Sequence, residues 1–193
     1  MSNQPIESQA SDQLSEILSK LSTLSEQVAR LEEKLMVVTD VDRYGKLQEF
    51  LAAGKFKEAD AETTNVILEF AGKERDNFSP EDIQKFPCSA LRVIDRLWSN
   101  YSQGRFAFNL QLKLYLDSGG DLDALRAQDT KALSKFAESV GWLVNGEVQF
   151  PKYDSWDFTL SAPKGCFPAD AWRSPYGLKM VTFLFRRLIY CDL

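Results

Sequence analysis

The chain contains no histidine. That single absence removes Ser-His-Asp and Cys-His nucleophilic catalysis, histidine-ligated zinc and a haem held by a proximal histidine. Cysteine is scarce: Cys88, Cys166 and Cys191 are far apart, odd in number and in no metal-ligand spacing, so they read as reduced structural thiols. No apolar run approaches the ~20 residues that span a bilayer, so no transmembrane segment is expected. A surplus of positive charge is missing too. The net charge is −5 and acidic and basic residues interleave, without the basic face that nucleic-acid binding uses. There is no Gly-rich phosphate loop and no recognisable pair of catalytic acids. The chain reads as a binding protein rather than an enzyme. Its opening, MSNQPIESQASDQ, has neither the basic start and apolar core of a secretory signal nor the arginines of a transit peptide. The expected location is the cytoplasm, or the plastid stroma for a plastid-encoded or already processed chain.

What is present is mostly helical periodicity. Residues 1–12 read as a disordered tail. Leu14, Ile17, Leu21, Leu24, Val28, Leu31, Leu35 and Val38 then alternate steps of three and four, the a and d positions of a heptad repeat. Residues 13–40 are expected to form a coiled-coil helix that joins copies of the chain, or another partner, through residues 14–38. The competing reading is a helix whose stripe packs on its own domain. From residue 42 onward two helices punctuated by Gly54 and Gly72 make an αα-hairpin. "LAAGKFKEADAET" resembles half a tetratricopeptide repeat, but no second copy follows. Ser79, Pro80 and Asp82 announce a capped helix, and a longer one follows from Ser89. Residues 106–116 conflict: apolar residues at every second position suggest a strand, while Ala107, Leu110 and Leu114 fit a helix. Asp129 or Thr130 caps the next helix, Asn145-Gly146 marks a hairpin, and a last helix is expected from Ser174-Pro175.

Four stretches, "LAAGKFKEADAETT" (51–64), "IDRLWSNYSQGRFAFNLQ" (94–111), "VGWLVNGE" (140–147) and "FTLSAPKGCFP" (158–168), occur in an order and spacing that resemble the genomes-uncoupled-four family. Those proteins bind porphyrins and stimulate magnesium chelatase in chlorophyll synthesis. The resemblance implies a mainly α fold for residues 42–193: a cupped-hand helical domain with a small β-hairpin, here preceded by a single coiled-coil helix. It turns 106–116 into a helix. It implies protoporphyrin IX or magnesium-protoporphyrin IX as the bound ligand and the large porphyrin-binding subunit of magnesium chelatase as a partner, with peripheral thylakoid contact a further possibility of the same kind. Two departures stand out. Ala107 replaces a glycine of the family pattern, and Cys166 replaces a histidine.

A porphyrin is a flat apolar disc with carboxylates on one edge, so its site needs apolar faces and rim cations. By that chemistry and the resemblance, the candidate ligand residues are Phe106, Phe108, Leu110, Trp142, Trp156, Lys164, Phe167, Trp172, Arg173, Arg186 and Arg187. The bland alternative is that the aromatics are core and the arginines a solvated face. Trp98 and Tyr101 read mainly as core, and the loop 161–177 is expected to close over the porphyrin rim. Three rival functions stand beside the leading one: a coiled-coil signalling or scaffold protein with a tetrapyrrole-sensing domain that does not act on the chelatase, a bilin or haem binder, and an unknown enzyme.

Overall fold

The computed structural model describes residues 17, 18, 20, 21, 23, 24, 27 and 43–193. It falls into two units, residues 1–43 and 44–193. In the first unit the described residues are helical, and Ile17, Leu18, Leu21 and Leu24 are each more than half exposed. The rest of the expected coiled coil, and the tail before it, lie outside the described residues.

The second unit is an all-helical body with one small hairpin. In this unit helix α1 runs over 44–52, buries Tyr44, Leu47 and Leu51 and turns at Gly54, where φ is 67°. The N–H groups of Gly54 and Lys55 return to the carbonyls of Leu51 and Phe50, closing a left-handed cap. Helix α2 (Phe56–Ala71) buries Phe56, Ala59, Thr63, Val66 and Ile67 and ends at Gly72, φ 60°. These two are the predicted αα-hairpin. Helix α3 (Pro80–Gln84) starts with the capping box read from Ser79 and Asp82, and Pro80 fills its first turn. Helix α4 (Cys88–Tyr101) buries Leu91, Ile94 and Trp98.

The contested segment is helix α5 (Phe108–Asp117). Phe108, Gln111, Leu112 and Tyr115 are buried at helical spacing, while Leu110 and Leu114 are half-buried and Leu116 is exposed. The helix wins over the alternating pattern because it has a cap, and among the described residues the only strands are those of the hairpin. Buried Asp95 of α4 accepts the Asn109 N–H at 2.8 Å, satisfying a first-turn donor from a neighbouring helix. Helices α6 (Leu122–Ala127) and α7 (Thr130–Ser139) are capped by the side chains of Asp121 and Asp129. Strands β1 (Leu143–Val144) and β2 (Glu147–Val148) pair antiparallel around Asn145-Gly146, both with positive φ. The last helix, α8 (Leu178–Tyr190), starts four residues beyond Ser174 and packs against α3, α4, α5 and α6.

The centre of the core is Trp98. Its indole N–H donates to Thr63 Oγ1 at 2.8 Å, and its ring meets Phe56, Phe106 and Phe167 at centroid distances of 6.1–6.3 Å. One correction concerns the thiols. Cys88 and Cys191, expected to be free, form a disulfide that joins the first residue of α4 to the residue after α8. Cys166 alone remains a free, buried thiol.

Candidate functional site

The Pro/Gly loop of 161–177 has a fixed centre. Gly165 donates its N–H to the Arg105 carbonyl at 2.8 Å. Gln111 donates from Nε2 to the carbonyls of Gly165 and Pro168 at 3.0 and 2.9 Å, and Trp142 donates to the Cys166 carbonyl at 2.9 Å. Arg105 reaches the Ala162 carbonyl at 2.8 Å. Glycine suits position 165: φ is 79°, and a Cβ would stand 2.6 Å from Leu114 Cδ1. Gly165 through Pro168 are buried, so the loop is a plug against α5 rather than a lid.

Its downstream end is held by two acids. Asp60, fully buried on α2, accepts the Ala169 N–H at 2.8 Å, the Asp170 N–H at 3.1 Å and the Tyr153 hydroxyl at 2.8 Å. Burial pushes its carboxyl up to about 7, the three donors oppose that rise, and the neighbouring Asp170 adds to it. Asp170 accepts from Thr64 at 3.0 Å, from Arg173 at 3.0 Å and from Arg75. The Arg173 guanidinium also lies over the Tyr153 ring at 4.3 Å. This acid pair was missed in the sequence. The available signal was an aspartate on the buried stripe of α2, between Ala59 and Thr63.

The eleven candidate residues divide accordingly. Phe106, Phe108, Trp142, Phe167 and Trp172 are at most 1% exposed. Phe106 touches Phe167 and Phe56, Phe108 faces Trp172, and Trp142 packs on Phe136 and Phe150. In this structure these five rings, Phe106 and Phe108 among them, pack in the core. Trp156 is half-buried at the outer edge of the same cluster, and Leu110 is half-buried on α5. Lys164 is exposed, with no ion pair among the described residues. Arg173 is committed to Asp170 and Tyr153. Cys166, which stands where the family pattern has histidine, is 4% exposed, and burial together with the nearby Asp60 pushes its thiol up.

What remains is the outer face of α8. Lys179 and Arg186 both sit over the ring of Phe183, at 5.8 and 5.5 Å, and Arg187 lies over Tyr190 at 4.8 Å. Tyr190 is 76% exposed. None of the three cations has a carboxylate partner among the described residues, although Arg187 donates from Nε to the Phe86 carbonyl at 2.7 Å. Two clefts flank this face. One, of about 280 Å³, is lined by Gln84, Arg186, Arg187 and Tyr190. The other, of about 210 Å³, is lined by Leu133, Leu178, Lys179, Thr182 and their neighbours on α7. One exposed ring, Tyr190, and three cations without carboxylate partners among the described residues, with Phe183 buried beneath two of them, match a flat apolar acid.

Comparison with known proteins places the fold. The GUN4-like family profile matches residues 38–183. The chain belongs to the GUN4-like family. A Ycf53-like protein of Synechocystis sp. is 35% identical over 130 residues, covering 65% of this chain and 50% of that protein. A chloroplastic tetrapyrrole-binding protein of Arabidopsis thaliana is 28% identical over 155 residues, 70% of this chain and 51% of that protein. The chain therefore spans about half the length of these relatives. Two solved structures share the fold: ligand-free GUN4 of Arabidopsis thaliana, with a TM-score of 0.55 at 22% identity, covering 74% of this chain and 93% of that one, and GUN4 of Chlamydomonas reinhardtii, with a TM-score of 0.56 at 21% identity, covering 74% and 86%. This GUN4-like chain is thus mainly α with a two-stranded hairpin, as its motifs implied. No described helix is long and apolar enough to cross a membrane.

Proposed function

We propose that this GUN4-like chain binds a tetrapyrrole, protoporphyrin IX or magnesium-protoporphyrin IX, against the outer face of α8. The observation that carries the reading is the cation–aromatic strip of Lys179, Phe183, Arg186, Arg187 and Tyr190. Tyr190, 76% exposed, offers ring contact, Phe183 lies buried beneath Lys179 and Arg186, and the arginines match propionates with paired donors. The flanking clefts, 280 and 210 Å³, fall below the ~300–1,000 Å³ usual for a pocket that encloses a ligand. The disc accordingly lies on the face with one side toward solvent. The protein acts by carrying or reporting its ligand, without chemistry of its own, and its partner in that reading is the large porphyrin-binding subunit of magnesium chelatase. Cytoplasm or plastid stroma is the matching compartment, with thylakoid contact at most peripheral.

The test is a titration with deuteroporphyrin followed by tryptophan quenching and by the porphyrin absorption band. Saturable binding that weakens when Arg186 and Arg187 are both replaced by Ala supports the site. Saturable binding that ignores both changes moves it elsewhere, and no binding removes the function.

A second reading is favoured by a separate observation: Ile17, Leu21 and Leu24, all on the heptad stripe, are exposed. A stripe of this kind is suited to self-association. A scaffold that oligomerises a tetrapyrrole sensor without touching the chelatase keeps the ligand site and drops the chelatase. Stimulation of magnesium insertion by the purified chain separates the two.

A further inference from the structure

The disulfide lies beside the proposed ligand face and is tied to it by hydrogen bonds. Cys88 opens α4 and Cys191 follows the last residue of α8, 103 residues away. Arg92, one turn along α4 from Cys88, donates to the Cys191 carbonyl. Arg187 donates to the carbonyl of Phe86, two residues before Cys88. The end of α8 is therefore held by one covalent bond and two arginine contacts, one at each side of it. The clefts on either side are built from the same parts: Arg92, Asp192 and Leu193 line one of about 310 Å³, and Arg187 and Tyr190 line the one of about 280 Å³.

Anchoring along α8 is uneven. Leu184, Phe185 and Leu188 are at most 1% exposed and fix the middle of the helix in the core. The last turn is different: Ile189 is half-buried and Tyr190 exposed. Cys191 is buried, while Cys88 is half-buried.

We propose that the Cys88–Cys191 bond is a thiol–disulfide switch that sets the last turn of α8, and with it Arg187 and Tyr190, for the tetrapyrrole; this rests on the α8 reading above. Closed, the bond holds Arg187 against Phe86 and Tyr190 beneath the guanidinium. Open, the last turn frays from α4 and the cation–aromatic strip loses its C-terminal half. The chemistry is ordinary exchange with a dithiol reductant. Its thiolate attacks Cys88 Sγ, the S–S bond breaks, and Cys191 leaves as a thiolate that takes up a proton. The second thiol of the reductant then displaces Cys88 Sγ, which is also protonated, and the reductant departs as its own disulfide. In a thiol-reducing compartment such bonds are typically transient and sensing rather than permanent. Cys166 does not compete, because its thiol is buried and held protonated.

The experiment uses the full chain in two redox states. Alkylation after denaturation, read by mass, should place one label, on Cys166, in the air-oxidised protein and three after dithiothreitol. Three labels before reduction overturn the proposal. Deuteroporphyrin should bind the reduced protein about fivefold more weakly than the oxidised one, the lower end of usual coupling between sites. Cys88→Ser and Cys191→Ser should each show the weaker value and ignore dithiothreitol. Equal affinity in both states, with the bond demonstrated by mass, overturns the switch and leaves the ligand site standing. If the oxidised protein binds no porphyrin, the α8 reading fails instead. Amide exchange at Cys191 and Leu193, whose N–H groups bond to Arg187 and Leu188, then reads the switch alone. Protection lost on reduction supports it, and unchanged protection overturns it.

Discussion

The Tyr153 hydroxyl donates to Asp60 Oδ2 at 2.8 Å across 93 residues of sequence, inside the core. The bond joins α2 to the segment before the plug loop, and Asp60 carries two backbone N–H groups of that loop as well. The hydroxyl of Tyr153 is itself pushed up, first by burial and then by the charge of Asp60.

This arrangement makes stability pH-dependent with a definite sign. The Asp60 carboxyl is raised from 3.8 to about 7 on folding, so the folded chain holds its proton more tightly than the unfolded chain. Its contribution is complete below about pH 3.8 and is lost as the pH rises through about 7. Asp95, raised chiefly by burial, acts in the same direction. Thermal melts from pH 5 to 7.5 should show Tm falling as pH rises. Asp60→Asn should flatten that slope. A slope unchanged in Asp60→Asn would assign it to other groups.

Replacing Phe108 tests its place in the core. The ring is fully buried against Trp172, so Phe108→Ala should destabilise the fold by about 3–5 kcal/mol, the usual range for a core phenylalanine. Porphyrin affinity of the protein that remains folded should stay within about twofold, because an α8 site does not touch this ring. Denaturant unfolding and a titration at low temperature read the two effects separately. Retained stability with lost binding would restore Phe108 to the ligand wall.

Much of the fold was legible because local rules agreed with tertiary ones. Gly54, Gly72 and Asn145-Gly146 each mark a positive φ that the structure uses. At α5 they disagreed. The period-two pattern of Phe106 to Leu116 is real, yet Asp95 supplies a helix cap from 14 residues upstream, on a different helix. The site was harder to read. The aromatic motif after Gly104 looks the same whether its rings line a pocket or fill a core, and the packing against Trp98, Phe167 and Trp172 is a tertiary fact that no motif contains. The disulfide was unreadable because proximity of Cys88 and Cys191 is a product of the whole fold. Arg186 and Arg187 were named from charge; the rings beneath them, Phe183 and Tyr190, were not.

The heptad stripe carries a separate expectation. With Ile17, Leu21 and Leu24 exposed, the full chain should sediment as a concentration-dependent dimer or larger species, and deletion of residues 1–40 should leave a monomer. A short helix of this kind is marginal when isolated, so the effect should strengthen on cooling toward room temperature and with concentration. A full chain that sediments as a monomer at high concentration would remove the scaffold reading.

The rim of the porphyrin separates the two groups of arginines. Arg173 is already satisfied by Asp170 and stacked on Tyr153, so freeing it for a propionate breaks both contacts. Among the described residues, Arg186 and Lys179 have only the Phe183 ring, and Arg187 keeps donors beyond its bond to Phe86. Esterifying both propionates should therefore weaken binding several-fold, since partly exposed charge pairs contribute about 1 kcal/mol or less each. The double variant Arg186→Ala with Arg187→Ala should lose most of the acid-over-diester difference, with Lys179 still in place, whereas Arg173→Ala should keep it. Raising ionic strength should shrink the acid-over-diester preference in the unsubstituted chain and leave diester binding nearly unchanged, because screening acts on the charge pairs and not on ring contact. Loss of the preference in Arg173→Ala, with both α8 arginines intact, would move the rim of the ligand from α8 to the plug loop.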